Sequence, residues 1–145
     1  MTEFAQKYGP SAVIAGASEG IGASLADQLA SRGLDLVLIA RNGPLLEEVA
    51  AGVRERHGVQ ARALVQDLTD PDVGARVAEA TAGLDVGLMI YNAGASDRTT
   101  TFLENDYEYS LKQISLIAIF EVFRVGTRIV VVGEQPHKIV RRNNG

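Results

Sequence analysis

Val13-Ile14-Ala15-Gly16-Ala17-Ser18-Glu19-Gly20-Ile21-Gly22 is the stretch that decides the fold. An apolar run breaks into three glycines, and a helical pattern begins as they end. Ala12 to Ala15 predicts a short buried strand, and Ile21 to Arg32 predicts a helix. Glycines between them let the backbone turn sharply and approach something bulky. A helix N-terminus carries unpaired N–H groups and a partial positive charge, so an anion such as a phosphate is the natural occupant of the turn.

Outward from this turn, strands and helices alternate. The first helix carries Ile21, Leu25 and Leu29 at i, i+4 and i+8, with Ala26 and Ala30 alongside, which predicts one apolar stripe against a sheet. Gly33 ends it as a glycine cap, with Leu34 as the hydrophobic contact. Leu36-Val37-Leu38-Ile39-Ala40 is an unbroken apolar run, as expected of a strand covered on both faces. A second helix is predicted from about Pro44 to His57, with Leu45, Val49 and Val53 in register and Gly58 at its end. Ala61 to Val65 predicts a weaker third strand. Asp70-Pro71-Asp72 predicts another helix start, with an acid at the N-cap and a proline in the first turn. Val73, Val77 and Thr81 share one side of that helix, and Gly83 closes it. Val86 to Tyr91 is a fourth strand, entered through Gly83-Leu84-Asp85, the same helix-to-strand turn as Gly33-Leu34-Asp35. This alternation predicts an α/β protein with right-handed βαβ units and a doubly wound parallel sheet. Residues 102–123 carry a looser helical pattern, with Leu103, Tyr107, Leu111 and Ile114 at i+4 and i+3 steps, and Arg128 to Gly133 is a candidate fifth strand.

The bulk properties bound the partners. One domain fits 145 residues, and 46% hydrophobic with 22% charged residues is ordinary for a globular chain. A net charge of −4 without a basic stripe argues against nucleic acid. The absence of cysteine excludes disulfides, thiol nucleophiles and thiolate metal sites. The N-terminal residues lack the pattern of a signal peptide, and no apolar run nears the about 20 residues of a membrane helix, so a cytoplasmic protein is expected.

Gly16-Ala17-Ser18-Glu19-Gly20-Ile21-Gly22 resembles the glycine pattern of the short-chain dehydrogenase/reductase family, with Ala15 where that family usually has threonine. Three further matches follow the same family. Asp67-Leu68-Thr69 resembles its acidic step at the adenine, and Tyr91-Asn92-Ala93-Gly94 resembles its Asn-Asn-Ala-Gly, with Tyr91 in place of the first asparagine. Lys7-Tyr8-Gly9-Pro10 resembles the lead-in of one of its branches. The resemblance spans about residues 7 to 116 and implies a Rossmann-like sheet of order 3-2-1-4, extended by strand five. It implies a cofactor site built from Gly16, Ser18, Glu19, Gly20, Ile21, Gly22, Arg41, Asp67, Leu68, Asn92, Ala93 and Gly94.

The end of strand two discriminates between cofactors. An acid there would bind both hydroxyls of the adenine ribose and repel a 2′-phosphate. Here Ala40 is followed by Arg41 and Asn42, and a guanidinium can hold a phosphate in a charge-assisted contact. Ser18 adds a hydroxyl donor on the glycine turn. NADP is therefore favoured over NAD, although an arginine at such a position can also be a solvated loop cation.

The catalytic half is not found. The family implies a serine after strand five, an asparagine in the preceding helix, and a tyrosine with a lysine four residues later that passes a proton to the substrate oxygen. Tyr107 is followed at that distance by Leu111 and Tyr109 by Gln113, so no Tyr-x-x-x-Lys occurs. Ile117 and Phe120 replace the asparagine and a small glycine of the family, and the candidate fifth strand ends in Gly133-Glu134. No catalytic residue is assigned. The expected organisation is a truncated NADP-binding domain over residues 1–133 and a disordered tail over 134–145. An interrupted oxidoreductase, a non-catalytic NADP-binding module and a subunit completed by a partner all remain open.

Other candidates are weaker. His57 and His137 lie too far apart, without carboxylates at ligand spacing, to suggest a metal site. His57 near a helix C-terminus reads as a dipole contact or a surface residue, and Glu47-Glu48 with Arg54-Glu55-Arg56 reads as a solvated helix face. The apolar 114–125 segment, within the 102–123 helix and just beyond it, is a candidate homo-oligomer surface. Core packing is as good an account, and aggregation of an open sheet is a third.

Overall fold

The computed structural model describes residues 1–93, 104–111 and 128–131. Its elements run α1 (Glu3–Tyr8), β1 (Ser11–Ala15), α2 (Gly20–Ser31), β2 (Asp35–Ala40), α3 (Gly43–His57), β3 (Ala61–Val65), α4 (Val73–Thr81), β4 (Val86–Tyr91) and β5 (Arg128–Val131). All neighbouring strands pair in parallel, in the order β3-β2-β1-β4-β5. The expected order 3-2-1-4 with an added fifth strand is thus the observed one. Of the expected 102–123 helix, residues 107–111 are helical, residues 104–106 are described but not α-helical, and the rest lies outside the described residues, as does the 134–145 tail.

Both faces of the sheet are covered, which is why its central strands read as continuous apolar runs. Ala12, Ile14, Leu36 and Leu38 face α2 and α3 in one buried cluster with Ala26, Leu29, Leu46, Ala50 and Val53. Val13, Ala15, Val37, Ile39, Met89 and Tyr91 face the other way, onto Leu68 and onto Val73 and Val77 of α4. Single-residue alternation along each strand therefore sorts side chains into two cores.

Three helix details depart from the expected pattern. Ile21 is 60% exposed, so it is not on the buried stripe of α2; Gly22, Ala26, Leu29 and Ala30 are. Leu45 is 38% exposed, and α3 buries Leu46, Ala50 and Val53 instead. In both helices the inward row begins one residue later than the apolar spacing suggested. Pro71 lies ahead of α4, which starts at Val73; Asp70 acts there by accepting from the Asp72 N–H at 2.9 Å. The end of α2 follows expectation. Gly33, at φ 86°, donates to the Ala30 carbonyl at 2.9 Å and Leu34 to that of Leu29 at 3.3 Å, the paired bonds of a Schellman cap.

Helix α1 is an element that apolar periodicity does not reveal, because its six residues make fewer than two turns. Its signal is Thr2, whose hydroxyl accepts from the Ala5 N–H at 3.1 Å and donates to the Arg32 carbonyl at 2.5 Å. One side chain thus caps the start of α1 and ties it to the end of α2. The chain then crosses β4 at Gly9, where a Cβ on Gly87 would overlap the Tyr8 carbonyl oxygen and one on Gly9 would sit 2.5 Å from the Gly87 Cα.

The α3 surface is solvated but also ion-paired. Asp27 on α2 accepts from Arg56 at 2.8 and 3.0 Å and lies 2.8 Å from the His57 imidazole. Arg54 pairs with Glu47 along α3. The His57 hydrogen bond, followed by that of Arg56, holds the Asp27 carboxyl below its ordinary value. A depressed carboxyl contributes stability above its unfolded value, near 3.9, and loses it as pH falls through the folded value. Asp27→Asn is expected to lower the unfolding free energy at neutral pH, read from urea denaturation, by less than about 1 kcal/mol, as exposed pairs do. The difference from the unmodified chain should begin to shrink as pH falls below about 4 and vanish below the folded value, when urea titrations are compared across pH.

The β1–α2 turn is a backbone-to-backbone fit. A Cβ on Gly22 would overlap the Gly16 carbonyl oxygen, and one on Gly16 would lie 2.7 Å from the Ala93 nitrogen and 2.8 Å from the Asn92 carbonyl. Gly20 differs: its φ is 57° and nothing lies within 4 Å of where its Cβ would be. Gly22→Ala is therefore expected to cost about 3 kcal/mol through overpacking, and Gly20→Ala only about 1 kcal/mol through its left-handed backbone, both read from urea denaturation.

Candidate functional site

The strand register aligns Leu64, Ile39, Ala15, Tyr91 and Val131 as one row near the C-terminal ends of the five strands. The loops that leave these ends therefore stand side by side. From β1 the chain proceeds to β2 and β3 on one flank, while β4 lies on the other. The gap between the β1 and β4 loops is a topological switch point, where open α/β sheets take their ligands.

The glycine turn occupies that point. The Gly16 and Ala17 N–H groups both donate to the Ile39 carbonyl, at 2.8 and 3.2 Å. Asn92 holds the turn from the β4 side, its Nδ2 donating to the Gly16 carbonyl at 3.2 Å and its N–H to that of Ala15 at 2.8 Å. Gly16, Gly22 and Asn92 are thus brought into one contact. Glu19 is the N-cap of α2 yet makes no side-chain cap bond, so the first-turn N–H groups stay open to a ligand. The open side of Gly20 and the exposed Ile21 border that opening, with Ser18 half-buried and Glu19 exposed beside them. An uncapped helix start and a glycine with free space around it fit a diphosphate.

Arg41 follows the last residue of β2 and is exposed, with no hydrogen-bond or ion-pair partner among the described residues. Its neighbour Asn42 is committed to α3, accepting from the Leu45 N–H at 3.1 Å. On the far side of β2, the Asp67 carboxylate accepts from the Thr69 N–H at 2.9 Å and its hydroxyl at 2.7 Å, which orients the turn after β3. Leu68 is buried in the second core cluster, against which Ala93 packs half-buried. Gly94 lies outside the described residues.

Tyr91 stands where the family has an asparagine, but it is a core residue, 4% exposed among the side chains of the second cluster. Burial pushes its phenol up to about 12, so it stays neutral at physiological pH. Buried Gln66, immediately before Asp67, is a feature of this rim that motif reading passes over. Among the described residues no group of three or more His, Asp or Glu side chains is placed to hold a metal ion, and no helix is long and apolar enough to cross a membrane.

Known proteins share this arrangement. Over 141 residues the chain is 32% identical to a very-long-chain 3-oxoacyl-CoA reductase of Rattus norvegicus, an alignment covering 96% of this chain and 43% of that one. Over 90 residues it is 43% identical to a 7beta-hydroxysteroid dehydrogenase of Clostridium sardiniense, covering 62% of this chain and 34% of that one. Among solved structures, a short-chain dehydrogenase from Sphingobium yanoikuyae in complex with NADPH superposes with a TM-score of 0.76 at 33% identity, over 86% of this chain and 53% of that one. The chain thus spans about half the length of these relatives, or less. The short chain dehydrogenase family pattern matches residues 10–140, and with the parallel sheet and its glycine turn this places the chain in the short-chain dehydrogenase/reductase family.

Proposed function

We propose that the rim formed by the turns after β1, β2, β3 and β4 binds the adenosine–diphosphate half of NADP(H), in an oxidoreductase that moves hydride between that cofactor and a carbonyl or alcohol. The observation that carries the cofactor choice is Arg41, an exposed guanidinium without a partner among the described residues, at the strand end where an acid would select NAD. Its bidentate fork suits a ribose 2′-phosphate, and Ser18 on the facing turn adds a hydroxyl. The NADPH bound in the Sphingobium yanoikuyae relative supports the same choice. When bound, NADP(H) would supply or accept the hydride. The residues of this chain do the holding: the glycine turn and α2 N-terminus at the diphosphate, Arg41 and Ser18 at the 2′-phosphate, and Asp67 and Leu68 at the base. Asn92 braces the turn from the β4 side, and Ala93 and Gly94 belong to the same proposed cofactor site.

Within these 145 residues there is no Tyr-x-x-x-Lys to relay a proton to a substrate oxygen. We therefore infer binding without turnover by this chain alone, in a cytoplasmic setting. Self-association through the 102–123 segment is part of the same reading, since Tyr107 and Leu111 on its described portion are exposed.

Fluorescence titration of the purified chain is expected to show NADPH binding more tightly than NADH. Arg41→Ala should weaken NADPH about ten-fold, the worth of one charge-assisted contact on a solvated rim, and leave NADH unchanged. Equal affinity for the two cofactors would overturn the NADP assignment. Carbonyl-dependent NADPH oxidation by the purified chain should be absent, and steady turnover would overturn the non-catalytic reading.

A further inference from the structure

Two polar side chains are buried among the described residues, Ser11 and Gln66. Gln66 is 6% exposed and lies one residue beyond the end of β3. A buried amide must find partners or lose the free energy of its hydration. Its backbone N–H donates to the Ala40 carbonyl at 3.0 Å, adding one rung to the β2–β3 ladder directly before Arg41. Its side-chain Nε2 donates to the Asp67 carbonyl at 3.0 Å. That carbonyl also accepts from the Asp70 N–H at 3.1 Å, so the peptide joining Asp67 to Leu68 is gripped from two directions.

A trans peptide is planar, with its C=O and N–H pointing opposite ways. Holding the Asp67 oxygen therefore fixes the direction of the Leu68 N–H, while the Asp67 carboxylate is held by Thr69. The Arg41 side of the rim is seated against the same strand end. Gly43 follows closely, and a Cβ there would meet the Val65 side chain at 3.2 Å. The Gln66 backbone is thus bonded to Ala40 at the end of β2, and its side-chain amide to the turn that carries Asp67 and Leu68.

We propose that Gln66 is a positioning residue of the adenosine site, its buried amide orienting the Asp67–Leu68 peptide of the base-side turn without touching the ligand's phosphates. This rests on the NADP(H) reading above. Its consequence is selective. Removing the amide loosens the base side, which NADPH and NADH share, and leaves their discrimination by Arg41 in place.

The test uses the full chain with Gln66→Met, which keeps the length and removes the amide, and Gln66→Glu, which faces the Asp67 carbonyl with an acceptor. Dissociation constants are measured for NADPH, NADH and 2′-phospho-ADP-ribose, the last lacking the nicotinamide, alongside the thermal midpoint of each variant. Gln66→Met is expected to weaken all three ligands by a similar factor, about three- to five-fold for one neutral hydrogen bond, with the NADPH-to-NADH ratio and the thermal midpoint unchanged. Gln66→Glu should weaken them further with the same ratio. Unchanged affinity in Gln66→Met, or a loss that only follows a lowered thermal midpoint, would overturn the positioning role while leaving the cofactor reading intact. A changed NADPH-to-NADH ratio would overturn it too, by moving the effect to the 2′-phosphate side. Failure of the unmodified chain to bind NADPH or 2′-phospho-ADP-ribose would instead overturn the cofactor reading, and this proposal with it.

Discussion

Among the described glycines, the tightest approach is that of the Gly16 carbonyl to Gly22, with the residues that follow β4 pressed against the other side of Gly16. Nothing larger than hydrogen fits at either glycine. The approach lets α2 begin directly over the C-terminal end of β1, so that its uncapped first turn opens at the switch point. Asn92 fastens the same carbonyl from β4 and so joins the two halves of the sheet where they diverge. Two of the glycines thus serve packing. Gly20 is left-handed and open, and no packing contact accounts for it.

Most of this architecture was legible in the sequence, because the deciding signals are local and strong. Unbroken apolar runs marked β2 and β4, and the glycines at 33, 58 and 83 ended helices by taking left-handed backbone. What misled was phase. In α2 and α3 two apolar rows lie one residue apart, and periodicity alone does not say which faces the sheet. Ile21 and Leu45 lie on the outer row, Ala26 and Leu46 on the inner one. Small residues such as Gly22 and Ala26 carry little hydrophobic signal, yet they let the helix sit closest to the strands.

The site was legible as motifs and less so as supports. Arg41, Asp67 and Asn92 stood out because their residue types contrast with the strands before them. Thr2 and Asp27 act across distances that no short motif spans: a hydroxyl joining two helices, and a carboxylate shared by an arginine and a histidine of another helix. Gln66 acts on the very next peptide, and only its burial sets it apart from a solvated strand-end amide. Tyr91 was recognisable as a substitution, but only the packed structure shows a phenol taken into the core. A polar position of the family pattern has here become part of the hydrophobic layer beneath the rim.

The crossing of Gly9 over Gly87 constrains how this chain can vary. Each glycine's missing side chain would strike the backbone of the other segment, and backbone, unlike a side chain, has no alternative rotamer by which to yield. Neither position can therefore be rescued by a change at the other, and the two behave as a single genetic locus distributed over two distant codons. In a mutational scan both should be intolerant on their own, and the double replacement should be no milder than the worse single. That pattern would mark the crossing as a fixed point around which the neighbouring sequence is free to drift.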